Sequence, residues 1–377
     1  APAVGMLGPA MAEDDGRGAR RTGAKHFEFC AARGDARRRW KVHAIPFSPM
    51  LCLELTRKPG GQGKMAEKGW RWCLGGWVLL LALCGCAPPP PGEDAGLCLA
   101  EAPALRWIPA GSGVMGSDEA YVEERPARPV ASGGFFMDAR EVTNDDFARF
   151  VAATGYVTDA ERPQPGFGKA GAAVFTYPTP ANPSWWRFVE GASWRHPDGP
   201  GSDLAGQGAL PVVQVSQRDA RAYAAWAGGR LPTEREWEFA ARAGSTTRYV
   251  WGTTLAPEGV PQANTWQGPF PVSNTGEDGY VSRAPGGCFP PNGFGLFDMI
   301  GNVWEWTASP YDSRDRDGPG EVRYTIKGGS YLCAENYCHR FRASARQAQE
   351  AGLPTNHIGF RVVYDERARS SGEENAG

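Results

Sequence analysis

The stretch "GGSYLCAENYCHRFR", Gly328 to Arg342, places Cys333 and Cys338 five residues apart. Three chemistries suit two such thiols. An exported protein could join them in a structural disulfide. Zinc would ask for four ligands, usually with Cys-x2–4-Cys spacing, and no second pair lies nearby. Copper(I) accepts soft sulfur donors at low coordination number. Spacing alone leaves all three open. Gly328 and Gly329, just upstream, permit close backbone approach.

Two other segments carry donor atoms. "NTWQGPFPVSNTGEDGY" (264–280) and "DMIGNVWEW" (298–306) mix carboxylate, amide and backbone oxygens at turn-rich positions. Hard oxygen donors in irregular loops suit calcium; the same side chains also cap turns. "SWWRFVEGASWRHP" gathers Trp185, Trp186, Trp194, Arg195 and His196. Aromatic rings beside a guanidinium and an imidazole suit an extended peptide, and they equally suit packing.

The elements that must position these residues are short. The chain has 377 residues and a net charge of −2, which points to no nucleic acid. Its 50 glycines and 32 prolines disfavour long helices, and its 14 tryptophans offer rigid surface for packing loops. Nine cysteines, six of them before residue 99, do not make a disulfide scaffold. Thr143 can cap "NDDFARFVAAT", with Phe147, Phe150 and Val151 on one face and Gly155 as the stop. Ser216 can cap "QRDARAYAAWA", with Asp219 at the third helical position and Gly228 beyond the end. Thr233 and Glu236 form a capping box before "WEFAARA", which Gly244 stops. Strands are expected at 212–215, 324–327 and 359–364. Residues 156–210 and 252–300 show little periodicity. The result is one α+β domain over 105–365, poor in regular structure, with no internal repeat.

The N-terminal quarter reads as separate pieces. Residues 1–64 are basic and aperiodic, a disordered or non-native upstream extension. From Met65, Lys68 and Arg71 precede an apolar run, Cys73 to Leu83, too short to span a bilayer, so 65–86 reads as a signal peptide. Its end, Leu83-Cys84-Gly85-Cys86, resembles a bacterial lipobox with Cys86 as the lipidated residue, although Cys84 departs from the usual small or β-branched type. A Pro-rich linker fills 87–104 and a disordered tail fills 366–377. The expectation is export to a bacterial cell envelope, anchored at Cys86, or secretion in soluble form.

"RWIPAGSGVMGS", "REVTNDDFARFVAATGY", "ASWRHPDGP", "RLPTEREWEFAARAG", "NTWQGPFPVSNTGEDGY", "FPPNGFGLFDMIGNVWEWT", "KGGSYLCAENYCHRFR" and "NHIGFRVV" follow one another in an order that resembles the formylglycine-generating enzyme, or sulfatase-modifying factor, family. The resemblance runs from about Arg106 to Val363. It implies a compact, loop-rich α+β fold related to C-type lectins. It implies an oxidoreductase that uses O2 and copper(I) to convert the cysteine of a Cys-x-Pro-x-Arg motif in sulfatases to Cα-formylglycine. On the matching positions it implies copper at Cys333 and Cys338, and polar active-site residues at Ser330 and Tyr337. One calcium would sit on Asn264, Asp278 and the backbone oxygens of Thr265 and Tyr280. A second would sit on Asp298, Glu305 and the backbone oxygens of Gly301 and Val303, with Asp298 standing where the family has asparagine. Arg195 and His196 fall in the matching "WRHP" segment; His339 replaces a family tyrosine. The four cysteines of two vertebrate disulfides match Ala224, Ala241, Ala343 and Val362, so both bridges are gone together. Cys288 then has no partner and reads as a small buried apolar residue.

Two rival readings use the same fold. A non-catalytic, lectin-like member would lack the cysteine pair. An iron-dependent sulfoxide synthase would need a further helical bundle with a histidine-rich motif, and this chain holds only five histidines.

Overall fold

The computed structural model describes Cys98, residues 104–312 and residues 322–365. The expectations for 1–64, for the signal segment 65–86, for the tail 366–377 and for most of the linker lie outside the described residues.

Among the described residues, three α-helices form where the capping residues place them. The first, α1 (Asn144–Thr154), begins at a reciprocal pair: the Thr143 hydroxyl accepts from the Asp146 amide, and the Asp146 carboxylate accepts from the Thr143 amide. Gly155 ends it in the left-handed region at φ 66°. Ser216 and Asp219 start α2 (Gln217–Trp226) in the same way, and the helix stops one residue short of the expected end. Thr233 and Glu236 start α3 (Glu234–Arg242). Here the left-handed residue is Ala243, at φ 46°, rather than Gly244 alone. The Asn292 side-chain amide donates to the carbonyls of Ala240 and Ala241, satisfying the last turn from outside.

Among the described residues, eleven short strands make four small sheets. In chain order they are β1 (Leu105–Ile108), β2 (Gly111–Met115), β3 (Arg128–Ser132), β4 (Phe135–Asp138), β5 (Gly171–Phe175), β6 (Trp186–Glu190), β7 (Trp304–Pro310), β8 (Arg323–Lys327), β9 (Arg346–Glu350), β10 (Ile358–Gly359) and β11 (Val363–Tyr364). The largest sheet runs β10-β7-β8-β9; another runs β1-β4-β11, and β2-β3 and β5-β6 are hairpins. The β5-β6 hairpin lies inside the stretch where the sequence shows little periodicity. All five β5 residues are buried, so no apolar–polar alternation marks it.

Two strand expectations need correction. Val212, Val213 and Val215 are fully buried but form no strand: the Val212 amide donates to the Val142 carbonyl and the Gln214 amide to the Thr355 carbonyl. Residues 359–364 are broken into β10 and β11 because Arg361 turns inward between them. Its guanidinium is fully buried on Glu305 (2.7 Å), with further bonds to the carbonyls of Asp138, Ala139 and Phe297.

The reading of Cys288 as unpaired is also overturned. It forms a disulfide with Cys98 across 190 residues of sequence. In the chain-entropy picture a loop of that length is worth roughly 5 kcal/mol. The four positions matched to the vertebrate bridges, Ala224, Ala241, Ala343 and Val362, are all buried among core side chains.

Asp138 lies at the end of β4. Burial pushes its carboxyl up to about 7, against the Val362 amide that donates to it. An unfolded aspartate titrates near 3.9, so the folded state binds the extra proton between about pH 4 and pH 7 and loses stability as pH rises through that window. Asp138→Asn keeps an oxygen for the Val362 amide and removes the charge. Relative to wild type, its unfolding free energy is expected to improve from about pH 4 to about pH 7 and then level off. Parallel denaturation profiles across that range would refute the assignment.

Candidate active site

The cysteine loop begins with a backbone approach that only glycine allows. Gly329 sits at φ +82°, and a Cβ there would run into the Arg340 carbonyl. The Cys333 amide then donates to the Ser330 carbonyl (2.8 Å) and the Cys338 amide to the Ala334 carbonyl (3.0 Å). These turns bring the two sulfurs to 3.4 Å, as free thiols. That is contact, not a disulfide, so the structural-bridge reading of this pair is set aside.

Two further segments fix the loop. The Tyr331 amide donates to the Asn302 carbonyl and the Trp266 amide to the Cys333 carbonyl, each at 2.9 Å. A short 3-10 turn, Val122–Glu124, straps the far side. Glu123 pairs with Arg340, Glu124 with Arg342 (2.6 Å), and the Arg340 guanidinium lies 4.1 Å over the Tyr121 ring.

The thiols are unequal. Cys333 is buried, and burial drives its titration well up. Cys338 is half-buried; its thiolate is favoured first by the hydrogen bond from Cys333 and then by the Arg340 charge, so its titration is lowered.

Tyr337 stands next to Cys338 with its ring 44% exposed, stacked on Phe270 at 4.5 Å and edge-on to Trp185 at 6.0 Å. Phe175, Trp266, Tyr331 and Leu332 form a small buried cluster, and the partly buried Trp185, Trp186 and Phe270 pack against it to give the aromatic surface. Ser330 is fully buried and its hydroxyl accepts from the Leu332 amide, which supports the turn.

The "WRHP" residues divide differently from the expectation. Trp194 is a core residue, 1% exposed and edge-on to Phe147, so it cannot line a groove. Arg195 stacks on Trp194 at 4.1 Å and turns to Glu161, while His196 bonds the Ser202 carbonyl through Nδ1 at 2.6 Å. These contacts link neither side chain to the thiols. His339 meets Arg248 at 3.1 Å.

The oxygen-donor loops meet at Asn302, whose side chain reaches Asn264, Ala284 and Glu141. Asn264 Oδ1 is buried without a hydrogen-bond partner. Asp278 Oδ2 accepts from the Thr265 amide and from Gln267, and burial raises its titration. An orphaned buried oxygen beside a desolvated carboxylate fits a cation. At the second set the donors disagree. Asp298 Oδ1 is likewise orphaned, but both Glu305 oxygens accept from Arg361, and one also from the Trp237 indole. Among the described residues no group of three or more His, Cys, Asp or Glu side chains is placed to hold a metal, so an ion here would draw on the thiol pair, or on single carboxylates together with amide and carbonyl oxygens.

A profile of the sulfatase-modifying factor enzyme 1-like domain matches residues 95–366. This chain belongs to that family. A formylglycine-generating enzyme from Mycobacterium tuberculosis is 48% identical over 290 residues, covering 68% of this chain and 96% of that protein. The family also includes a mouse protein named inactive C-alpha-formylglycine-generating enzyme 2, 38% identical and covering 76% of this chain and 92% of that one. Among solved structures, PvdO from Pseudomonas aeruginosa superposes with a TM-score of 0.50 at 24% identity, over 69% of this chain and 94% of that one, which supports the shared fold alone. Sequence reasoning found the thiols but missed Arg340, Asn302, Phe270 and Trp266. "NTWQGPF" and "CHRFR" contain all but Asn302, yet nothing local says which of their residues face the pair.

Proposed function

We propose that this protein is a formylglycine-generating oxidoreductase, converting the cysteine of a Cys-x-Pro-x-Arg motif in a sulfatase polypeptide to Cα-formylglycine with O2 and copper(I). The observation that carries this is the pair of free thiols, Cys333 and Cys338, 3.4 Å apart at the end of an aromatic surface. Two soft sulfurs fit copper(I), which when bound would supply the electron transfer that lets O2 react with a thiol.

The chain's own residues set the conditions. Burial fixes Cys333, and the Ser330 carbonyl fixes its backbone. Cys338 is the sulfur nearer solvent, and Arg340 stabilises its thiolate. Tyr337, Phe270 and Trp185 give a substrate peptide an apolar wall beside the thiols and exclude water.

Incubating copper-loaded protein with a Cys-x-Pro-x-Arg peptide is expected to give the aldehyde, read as a mass change. Cys333→Ser and Cys338→Ser should each abolish turnover with little loss of metal-free stability. A structural bridge would instead cost ~2–5 kcal/mol on removal of either cysteine. Destabilisation of that size with turnover retained would sink the proposal.

Calcium is proposed first at Asn264, Asp278 and the carbonyls of Thr265 and Tyr280, supported by the orphaned Asn264 oxygen. A second ion would rest on Asp298 and the carbonyls of Gly301 and Val303, because Glu305 is committed to Arg361. An ion bound only to the native state stabilises it, so chelation should lower the melting temperature. An identical melt with and without chelator would remove both sites.

Export, with anchoring at Cys86, is proposed from the apolar segment and the cysteine that follows it. Expressed from Met65 in a bacterium, the protein should fractionate with membranes, and Cys86→Ser should release it. Unaltered partitioning of that variant would argue for soluble secretion or a retained signal.

A further inference from the structure

The segment after Trp194 sends one other side chain toward the aromatic surface: Asp198. Its residue is exposed, but its carboxylate is not loose. The Asn356 side-chain amide donates to Oδ1 at 3.0 Å, and the Asp198 amide donates to the Ser202 hydroxyl at 3.0 Å. Asn356 is itself buried and doubly fixed. Its side-chain oxygen accepts from the Phe175 amide (2.9 Å), and its carbonyl accepts from the Tyr331 hydroxyl (3.3 Å). Thus Asp198 is fastened to two members of the aromatic surface, one of them two residues from Cys333.

Among the described residues the carboxylate forms no ion pair within 4.0 Å, and its second oxygen accepts no hydrogen bond. Arg283 feels its charge, but the Arg283 guanidinium is buried on the Pro211 carbonyl (2.9 Å) and the Gln207 side chain (3.3 Å). A positioned carboxylate with a free oxygen and no direct ion pair suits a guanidinium, which carboxylates can hold through paired charge-assisted bonds.

We infer that Asp198 reads the arginine of the Cys-x-Pro-x-Arg motif and so sets substrate specificity; this rests on the proposed function. In an extended peptide, side chains two and four residues on from the cysteine point the same way as the cysteine itself. Cysteine, proline and arginine thus share one face and span at most about 14 Å. The protein offers a partner for each. Beside Cys338, the Tyr337 ring stacks on Phe270 at 4.5 Å; Phe270 lies 5.8 Å from the buried Phe175, whose amide holds Asn356 and through it Asp198. Proline packs on the rings, and arginine reaches the carboxylate.

The test compares peptides ending the motif in Arg, Ala or Glu, using copper-loaded protein for KM and kcat and metal-free protein for binding by tryptophan fluorescence. Asp198→Asn keeps the bond from Asn356 and removes the charge. It should raise KM for the Arg peptide about ten- to hundredfold, the range of a charged hydrogen bond, and move that for the Ala peptide far less. Asp198→Lys should favour the Glu peptide. An Arg-over-Ala preference that survives Asp198→Asn, or an equal loss on both peptides, overturns the inference. If wild type forms no aldehyde, the proposed function fails, yet the binding titrations still decide. An Arg preference lost in Asp198→Asn upholds the role of Asp198, and an unaltered preference, or no binding of any peptide, rejects it.

Discussion

Everything in this domain hangs on one buried ion pair, Arg361 with Glu305. Both side chains are at zero exposure. Arg361 sits between two minimal strands, β10 and β11, which belong to different sheets. Its guanidinium takes Glu305 from β7, the carbonyls of Asp138 and Ala139 at the end of β4, and Phe297 from the loop before β7. One side chain therefore ties two sheets and a loop that share few ladder bonds. Removing one partner of such a pair strands the other charge in the core, at a cost of about 3–5 kcal/mol. A hydrophobic pair of the same volume could match the energy but could not bond three carbonyls, so the arginine also specifies where those segments lie.

The same economy builds the active site. With little regular structure to hold it, the cysteine loop is held by point contacts from distant segments: Asn302 and Trp266 on one side, the Tyr121–Glu124 strap on the other. Asn302 works as a hub because an amide both donates and accepts. It occupies the left-handed region at φ 52°, which asparagine tolerates better than most residues. Its many partners agree on one position for the loop, and so for the pair of sulfurs.

The sequence was most legible where structure is local. The three helix starts could be read because a capping box is written within four residues, and Thr143, Ser216 and Thr233 all behave as their type demands. Strand β8 was readable from its run of residues. The thiol pair could be seen as chemistry, and the resemblance supplied its context. What stayed hidden depends on contacts between remote segments. Cys98 and Cys288 carry no mark of each other across 190 residues. Trp194 and Trp185 look alike in sequence, yet one is core and the other faces the aromatic surface. Glu305 supplies a suitable oxygen for an ion, and only the fold reveals that Arg361 already claims it.

The bridge between Cys98 and Cys288 also decides how force would travel. Strand β1 is a sheet edge, paired only with β4, and its residues begin at Leu105. A pull on the chain from upstream would, without the bridge, peel β1 from β4 one bond at a time, the weakest way to load a strand. With it, tension passes at Cys98 into Cys288, beside Gly287, whose amide is bonded to Asp298. The load then enters a half-buried loop held to Asp298, and β1 is left slack. A chain tethered at its N-terminal side would be mechanically shielded at the point where its sheet is thinnest.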